Sequence, residues 1–278
     1  MRRRASGWVV LAVVTAGALL VAACGDDDGG SADGSAGTTT TEGPAPLDVL
    51  VTNDDGFRAE GIDTLVEALR DLPGLEITVV APAEQQSGTG GNETDGAVAS
   101  RPGTTRSGYD ATAVDGFPSD AVRVALDDLG LEPDLVISGI NEGQNLGPLV
   151  DVSGTVGAAR AAVRAGVPAL AVSQGLGSPP DYATAADLVV DWLGDHRAAL
   201  TTGDEEADGV VNLNVPTCPT GEVRGTVEVA SATEGDALGT PDCTGRGTGE
   251  PGDDDVSAFL DGYATFSEVA AEPAAPAA

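Results

Sequence analysis

The stretch LDVLVTNDDG at residues 47–56 decides the fold of this chain. Its apolar, β-branched first half is typical of a buried strand, and the polar NDDG that follows is typical of a turn. Apolar residues then recur at helical spacing over residues 61–72. Asp54 and Asp55 are therefore expected at the carboxyl end of a first parallel strand, where open α/β sheets bind their ligands. Two neighbouring carboxylates at such a place favour a hard cation.

The chain from this stretch to residue 270 alternates between strand-like and helix-like segments. This alternation predicts an α/β fold with a doubly wound, mainly parallel, Rossmann-like sheet and a C-terminal β extension. Residues 92–109 are polar and rich in turn residues, which predicts a hairpin or a protruding loop. The predicted strands cover residues 47–52, 75–81, 111–114, 133–141, 167–172, 209–215, 223–229 and 262–269, and the predicted helices cover residues 61–72, 119–129, 153–165 and 182–200.

The first 46 residues have the composition of a targeting segment and a tether. Residues 1–23 join a basic start to a short apolar run that ends in small residues, as bacterial secretory signal peptides do. Cys24 follows directly, and this arrangement resembles the lipobox of bacterial lipoproteins, which implies that Cys24 is lipidated. The alternative is a plain signal peptide cut nearby. Residues 24–46 are almost free of apolar side chains, which predicts a disordered linker.

These features predict an extracytoplasmic protein that contacts the bacterial cell membrane only through a lipid anchor. The folded domain is expected over residues 47–270, followed by a disordered tail over residues 271–278. Cys218 and Cys243 remain once Cys24 is assigned to lipid. In an oxidising compartment they would form one disulfide, and the alternative is two free thiols.

The chain is strongly acidic, with a formal net charge of −32 at pH 7. Such a charge repels long nucleic acids, so a nucleic-acid polymer is not expected as a partner. We interpret most of the acidic residues as an adaptation for solubility or for a salty habitat. A phosphorylated substrate would need a bound cation to offset the local repulsion.

Four short polar motifs follow predicted strands or begin predicted helices: NDDG at 53–56, QSG at 86–88, SGIN at 138–141 and SGT at 153–155. Each motif alone is a common turn or loop. In this order along an α/β chain they resemble the SurE (survival protein E) family of metal-dependent nucleotidases. The resemblance extends over about residues 48–268, and further matching stretches are VVAP at 79–82, GVPALAVS at 166–173 and NLNVP at 212–216.

The resemblance implies one divalent cation per subunit, either Mg²⁺, Mn²⁺ or Ca²⁺. Carried over to this chain, the family's metal ligands are Asp54, Asp55, Ser87 and Asn141. Two carboxylates, a hydroxyl and an amide oxygen form an all-oxygen set of the kind that these cations take.

The resemblance also implies a phosphate pocket. The SGT motif lies just ahead of a predicted helix, where backbone N–H groups can receive phosphate oxygens. The substrate-binding residues carried over are Gly88, Asn145, Ser153, Gly154 and Thr155. Asp120, in a segment that matches a family motif, is expected to be structural, as a helix cap.

The function implied by the resemblance is hydrolysis of nucleoside monophosphates to nucleoside and phosphate, a 5′/3′-nucleotidase activity. Asp54 and Asp55 would be the catalytic residues, with a water that Asp55 orients attacking phosphorus in line. Two alternatives stay open. One is a non-catalytic lipoprotein that binds a small ligand on the same fold, and the other is a broad-specificity acid phosphatase.

The sequence departs from the family at several points. Val152 stands before the SGT motif where an aromatic residue is usual, which leaves the base preference open. The C-terminal segment is only roughly similar to that of the family. Family members exchange C-terminal elements between subunits, so the resemblance implies a homodimer or homotetramer. An export signal is also unusual, because members are commonly cytoplasmic.

Overall fold

A mixed sheet of nine strands runs through the residues that the computed structural model describes, 45–245 and 249–273. The predicted signal peptide (1–23), Cys24, nearly all of the linker (24–46) and most of the tail (271–278) lie outside the described residues. The strands are β1 (Leu47–Thr52), β2 (Leu75–Pro82), β3 (Ser100–Thr104), β4 (Asp110–Val114), β5 (Leu135–Glu142), β6 (Ala169–Gln174), β7 (Gly209–Val215), β8 (Thr226–Glu228) and β9 (Ala264–Ala270).

The order of the strands across the sheet is β3-β4-β2-β1-β5-β6-β7-β9-β8. The six central strands, β4 to β7 in that order, are all parallel to their neighbours. At the margins, β3 is antiparallel to β4 and β9 is antiparallel to β7. The predicted α/β class with a mainly parallel sheet is confirmed, and the hairpin expected near residues 92–109 is formed by β3 and β4.

Helices cover both faces of the sheet, as a doubly wound fold requires. They are α1 (Glu60–Leu69), α2 (Pro118–Arg123), α3 (Gly154–Arg164), α4 (Tyr182–Thr202) and α5 (Asp255–Leu260). Two short helical segments add to these, a π-helical turn at Val124–Asp128 that extends α2 and a 3-10 turn at Gly147–Asp151.

Alternate residues of β1 enter two different cores, because successive side chains of a strand point to opposite faces. Val49 and Val51 join the cluster formed with α1 and α4. Leu50 joins the second cluster, formed with α2 and α3. Burial on both faces explains why β1 is an almost continuous apolar run in the sequence.

The C-terminal extension, residues 216–273, closes the far margin of the sheet. The strands predicted there are confirmed as β8 and β9, although β8 has only three residues. A disulfide joins Cys218 to Cys243, which settles the choice that the sequence left open. The helix α5 was not predicted. Its six residues are too few for an apolar periodicity, and the acidic run 253–255 that begins it is typical of a turn.

Asp254 explains why α5 begins where it does. Its carboxylate accepts a hydrogen bond from the Ser257 N–H at 2.8 Å, and the Ser257 hydroxyl returns to the Asp254 backbone as a capping box. Within the ranges 45–245 and 249–273, no helix has the length and apolar character needed to cross a membrane.

Candidate active site

Three of the four motifs, NDDG, QSG and SGIN, meet at the point where the winding of the sheet changes direction. From β1 the chain proceeds to β2 on one side, and it later returns to place β5 on the other side of β1. Thr52 of β1 lies opposite Ser138 of β5, so the residues that follow each strand emerge at the same edge. This is the topological switch point at which open α/β sheets bind ligands.

Asp54 is a buried carboxylate, only 3% exposed, directly after β1. The Thr155 hydroxyl donates to its Oδ1 at 2.7 Å, and the Thr155 backbone N–H is a further donor. Burial, followed by the charge of Asp55, raises the pKa of Asp54 to about 6, although the hydrogen bonds from Thr155 oppose the shift. The fold therefore holds this carboxylate in a place where its charge is costly.

Asp55 is held from the other side of the switch point. The backbone N–H of Glu142, at the end of β5, donates to its Oδ2 at 2.9 Å. Burial raises the pKa of Asp55, and the charge of Glu142 adds to that shift, whereas the hydrogen bonds from the Glu142 backbone and the Gln85 side chain lower it. The two carboxylates are thus fixed by different elements, one by α3 and one by β5.

The loop that carries Ser87 and Gly88 is tied to the same segment. The Gln86 N–H donates to the Asp54 backbone carbonyl oxygen at 2.7 Å. Ser87 is the next residue in the chain, so this hydrogen bond ties the Ser87 loop to the segment that carries the two carboxylates. Ser87 and Gly88 are both exposed. Gly157 in α3 anchors the far end of the loop, because a Cβ at that position would lie 2.1 Å from the Gly90 carbonyl oxygen. Only glycine permits this close approach.

Asn141 is the last of the four predicted ligands, 7% exposed near the end of β5. Its amide nitrogen donates to the Gly143 carbonyl oxygen at 2.6 Å. With the nitrogen occupied in this way, Oδ1 is the atom left to meet a cation. Its neighbour Glu142 donates to Asp55, so Asn141 also lies one residue from a direct contact with the pair.

The SGT motif begins α3 as predicted, but its groups have specific partners. Ser153 is the helix cap, and its hydroxyl accepts from the Val156 N–H at 3.1 Å. Gly154 packs on the carboxylate, since a Cβ there would lie 2.8 Å from the Cβ of Asp54. Thr155 points both its hydroxyl and its N–H at Asp54. The amino end of α3 therefore donates hydrogen bonds to the Asp54 carboxylate. It also faces the edge of the sheet where a phosphate would bind.

Asn145, predicted to bind substrate, lies in a buried polar network inside the sheet edge. Its amide nitrogen donates to the Ser173 hydroxyl at 2.9 Å, and its N–H donates to Asn214 at 2.7 Å. Its carbonyl oxygen accepts from Asn212 at 2.9 Å. The contacts shown for Asn145 are structural ones, and a role in binding substrate stays a prediction. Asp120 is the third residue of α2, and its carboxylate accepts from the N–H of Phe117, the N-cap residue, at 2.9 Å, so its structural role at the start of this helix is confirmed.

A cavity beside Asp55 was not predicted from the sequence. It has a volume of about 410 Å³, and we call it the Tyr182 cavity after its most buried side chain. Burial raises the pKa of Tyr182, and the charges of Glu142, Asp55 and Glu60 add to the shift. At the start of a helix, Tyr182 has the pattern of a core residue, which is why the sequence did not reveal it. The cavity is lined by Asp55, Ala59, Glu60, Gln85, Glu142, Pro180 and Tyr182.

The donor set at the switch point fits a divalent cation in its chemistry. Among the described residues, no arginine or histidine forms an ion pair with Asp54 or Asp55, so the pair has no positive side chain to balance it. The same residues contain no cluster of three or more His, Cys, Asp or Glu side chains that could hold a metal ion. A cation would therefore depend on the neutral oxygens of Ser87 and Asn141 as well as on the two carboxylates.

Comparison with known proteins assigns this arrangement to a family. A sequence profile described as Survival protein SurE matches residues 49–236. The "5'-nucleotidase SurE" of Brevibacillus brevis is 39% identical over 185 residues, which are 64% of this chain and 70% of that protein. The protein of the same name from Pelobacter propionicus is 42% identical over 181 residues, 63% of this chain and 68% of that protein.

The solved structures agree with the sequence relatives. The crystal structure of the SurE protein from Aquifex aeolicus superposes with a TM-score of 0.65 at 27% sequence identity. The superposition covers 82% of this chain and 94% of the other. The similarity therefore includes nearly the whole fold of that protein.

Proposed function

This chain belongs to the survival protein SurE family, and from that premise we propose that it hydrolyses nucleoside monophosphates to nucleoside and phosphate with the help of a divalent cation. The relatives named 5'-nucleotidase support the substrate class. The observation that carries the proposal is the pair Asp54 and Asp55 at the switch point, with the Ser87 loop and the end of β5 each hydrogen-bonded to it.

Asp54, Asp55, Ser87 and Asn141 are the residues that would hold the cation. When bound, the cation supplies positive charge that polarises a phosphate oxygen and acidifies water. The raised pKa of Asp54 supports such a partner, because a buried carboxylate without a counter-charge gains most from one. The cation would also allow a phosphate dianion to approach a strongly acidic chain.

The protein's own groups would position the reaction. Thr155 holds the Asp54 carboxylate in one orientation, and the Glu142 N–H does the same for Asp55. Asp55 is the less buried of the two acids, so it can orient a water for attack on phosphorus. N–H groups in the first turn of α3 lack intrahelical partners. Those not taken by Asp54 or by the Ser153 hydroxyl can bind phosphate oxygens.

The direct test is phosphate release from adenosine monophosphate with added Mn²⁺. Wild-type protein should release phosphate, and a chelator should abolish the release. Asp55→Asn should lower kcat by about 10³-fold, because it removes a charge that holds both the cation and the water. Asp71→Asn is the matched control, since Asp71 is an exposed acid beyond the end of α1. Activity of Asp55→Asn near that of the control would contradict the proposal.

We also propose that the protein works outside the cytoplasmic membrane, anchored through Cys24. The basic, apolar and small-residue order of residues 1–23 supports this, and the Cys218–Cys243 disulfide supports an oxidising compartment. Expressed in a bacterium, wild-type protein should sediment with membranes, and Cys24→Ser should not be lipidated and should leave the membrane fraction. Equal membrane retention of both would argue against the anchor.

The proposed assembly is a homodimer or homotetramer, as the family resemblance implies. Light scattering coupled to gel filtration measures this directly. A mass of two or four chains supports the proposal, and a monomer at micromolar concentration contradicts it.

A further inference from the structure

The Tyr182 cavity adjoins Asp55, but the phosphate chemistry proposed above does not use it. Its volume of about 410 Å³ falls within the range of about 300–1,000 Å³ typical of small-molecule sites. Because Asp55 belongs both to the cavity and to the carboxylate pair, a substrate with its phosphate at the pair can extend its leaving group into the cavity.

The Tyr182 hydroxyl is available to a ligand in this cavity. The Tyr182 side chain is only 6% exposed and borders the cavity. Its hydroxyl makes no hydrogen bond to the described residues, and it is not one of the polar atoms fully closed off from water, so a ligand in the cavity can reach it. The hydroxyl of Tyr109, by contrast, already donates to the Ile77 carbonyl oxygen.

The charges around the cavity restrict the chemistry of that ligand. Glu142 and Asp55 are acceptors, and Glu60 is already paired with Arg106 at 2.8 Å. An anionic group would meet repulsion from these carboxylates. A second metal ion is not favoured either, because the described residues hold no group of three acidic or histidine side chains suited to one. Groups that donate hydrogen bonds without carrying negative charge, such as the hydroxyls of a sugar, suit these acceptors.

We propose that the Tyr182 cavity binds the sugar of the nucleotide, with the Glu142 carboxylate accepting from ribose hydroxyls and Tyr182 donating to the oxygen of one of these 2′ or 3′ hydroxyls. Carboxylates bind ribose hydroxyls in this way in dinucleotide-binding folds. The inference rests on the proposed nucleotidase function and adds a specificity for the sugar of the substrate. The site then favours a neutral nucleoside as leaving group and disfavours a substrate whose sugar carries a second phosphate.

The test compares three substrates: adenosine monophosphate, its 2′,3′-dideoxy analogue, and p-nitrophenyl phosphate, which has no sugar. Wild-type kcat/KM should be about tenfold higher for adenosine monophosphate than for the dideoxy analogue, the loss expected for one hydrogen bond to a charged group. Tyr182→Phe and Glu142→Gln should each lower kcat/KM for adenosine monophosphate about tenfold and for the dideoxy analogue less than about threefold.

Matched controls make the same chemical changes outside the cavity. Tyr109→Phe removes a hydroxyl that serves the Ile77 carbonyl, and Glu132→Gln neutralises an exposed acid before the amino end of β5. Both should keep the wild-type ratio between the two nucleotides. Calorimetry gives a readout without turnover, because adenosine should bind wild type more tightly than 2′,3′-dideoxyadenosine does, and Glu142→Gln should remove that difference.

The outcomes separate the two proposals. Wild-type protein that hydrolyses p-nitrophenyl phosphate and both nucleotides without preferring the ribose form would overturn the sugar site and leave the phosphatase function intact. Equal losses on both nucleotides in Tyr182→Phe and Glu142→Gln would likewise overturn it, since those losses belong to folding or phosphate binding. Failure of wild type on all three phosphates, with Mn²⁺ present, would remove the proposed function and the sugar site together.

Discussion

Two buried carboxylates in different regions of this molecule have opposite surroundings. Asp255 in the C-terminal extension is fully buried and accepts hydrogen bonds from the Gly147 N–H, the Ala232 N–H and the Ser231 hydroxyl. Asp54 at the switch point lies beside a second carboxylate, and its pKa is raised to about 6. The first carboxylate contributes to the stability of the fold, whereas the second is retained at the expense of stability.

Buried polar atoms without a partner occur in both regions. Near Asp54, the buried oxygens of Thr52, Asn53 and Ser138 have no hydrogen-bond partner among the described residues. The extension has a disulfide, a capping box and a cation–π contact of Arg224 with Tyr263. It also contains two buried hydroxyls without a partner, those of Thr265 and Ser267 in β9. The contrast between the two regions therefore rests on the hydrogen bonds and charges around Asp54 and Asp255.

The largest expected effect comes from removing the charge of Asp54. Asp54→Asn should lower nucleotide hydrolysis by about 10³-fold because it removes a proposed ligand. In the presence of a chelator, it should also raise the free energy of unfolding by about 1–3 kcal/mol at pH 7. The reason is that a pKa raised by about two units measures the cost of the buried charge. Urea unfolding and phosphate release measure the two effects.

Asp255→Asn is the matched variant in the other region. It should lower the free energy of unfolding by about 1–3 kcal/mol, because three hydrogen bonds to a buried charge are weakened. Activity per folded molecule should stay close to wild type. A stabilised Asp255→Asn, or a destabilised Asp54→Asn that folds normally, would reverse the comparison.

Removal of the disulfide tests the extension alone. The double variant Cys218→Ala, Cys243→Ala should lower the free energy of unfolding by about 3 kcal/mol, because the unfolded chain regains the freedom of the loop of 25 residues. Turnover at 25 °C should change little, since neither cysteine contacts the carboxylate pair. Calorimetry under oxidising conditions gives the stability, and a large loss of turnover in folded protein would connect the two regions.

The contact between α3 and the Ser87 loop tests how far the proposed site depends on the packing around it. Gly157→Ala would place a methyl group 2.1 Å from the Gly90 carbonyl oxygen, so the loop must move. We expect a loss of about 1–3 kcal/mol in the free energy of unfolding and about tenfold in activity. Gly194→Ala, in α4 with open space around it, should instead stabilise by about 0.5–1 kcal/mol and leave activity unchanged. Equal behaviour of the two variants would refute the role assigned to this contact.

The pH dependence of stability tests the same buried charge in the wild-type protein. The folded pKa of Asp54, about 6, lies above its ordinary value of 3.8. The folded protein therefore holds the proton more tightly than the unfolded chain, and stability decreases as pH rises from 4 to 6. In chelator, the difference in free energy of unfolding between wild type and Asp54→Asn should shrink as the pH is lowered from 7 to 4. A difference independent of pH would contradict the assignment to Asp54.

The sequence predicted the central sheet well, because the buried parallel strands are distinct apolar runs bounded by turn residues. The second half of the chain shows where such patterns lose accuracy. Strand β6 begins at Ala169, two residues later than predicted, because Pro168 cannot donate a ladder hydrogen bond while its carbonyl oxygen accepts one from Val136. Helix α5 has no periodic signal of its own, and its start depends on the cap of Asp254 and the contacts of buried Asp255.

The site was predictable only as a set of motifs. The resemblance of four short motifs to the SurE family implied the set Asp54, Asp55, Ser87 and Asn141, and the structure brings their segments to one edge. The contact of Thr155 with Asp54 and the Glu142 N–H bond to Asp55 could not be predicted, because each joins residues at least 87 positions apart. The Tyr182 cavity was also hidden, since residues of α1, α4, β5 and three loops come together around it only after folding.

The central claim is that Asp54, Asp55, Ser87 and Asn141 hold one divalent cation. A crystal soaked with Mn²⁺ and a phosphate mimic, measured by anomalous diffraction, tests it most directly. The account predicts one strong peak at the switch point, within about 2.0–2.6 Å of oxygens from both aspartates and from at least one of the two neutral ligands. A peak elsewhere in the acidic surface, with none between β1 and β5, would contradict it.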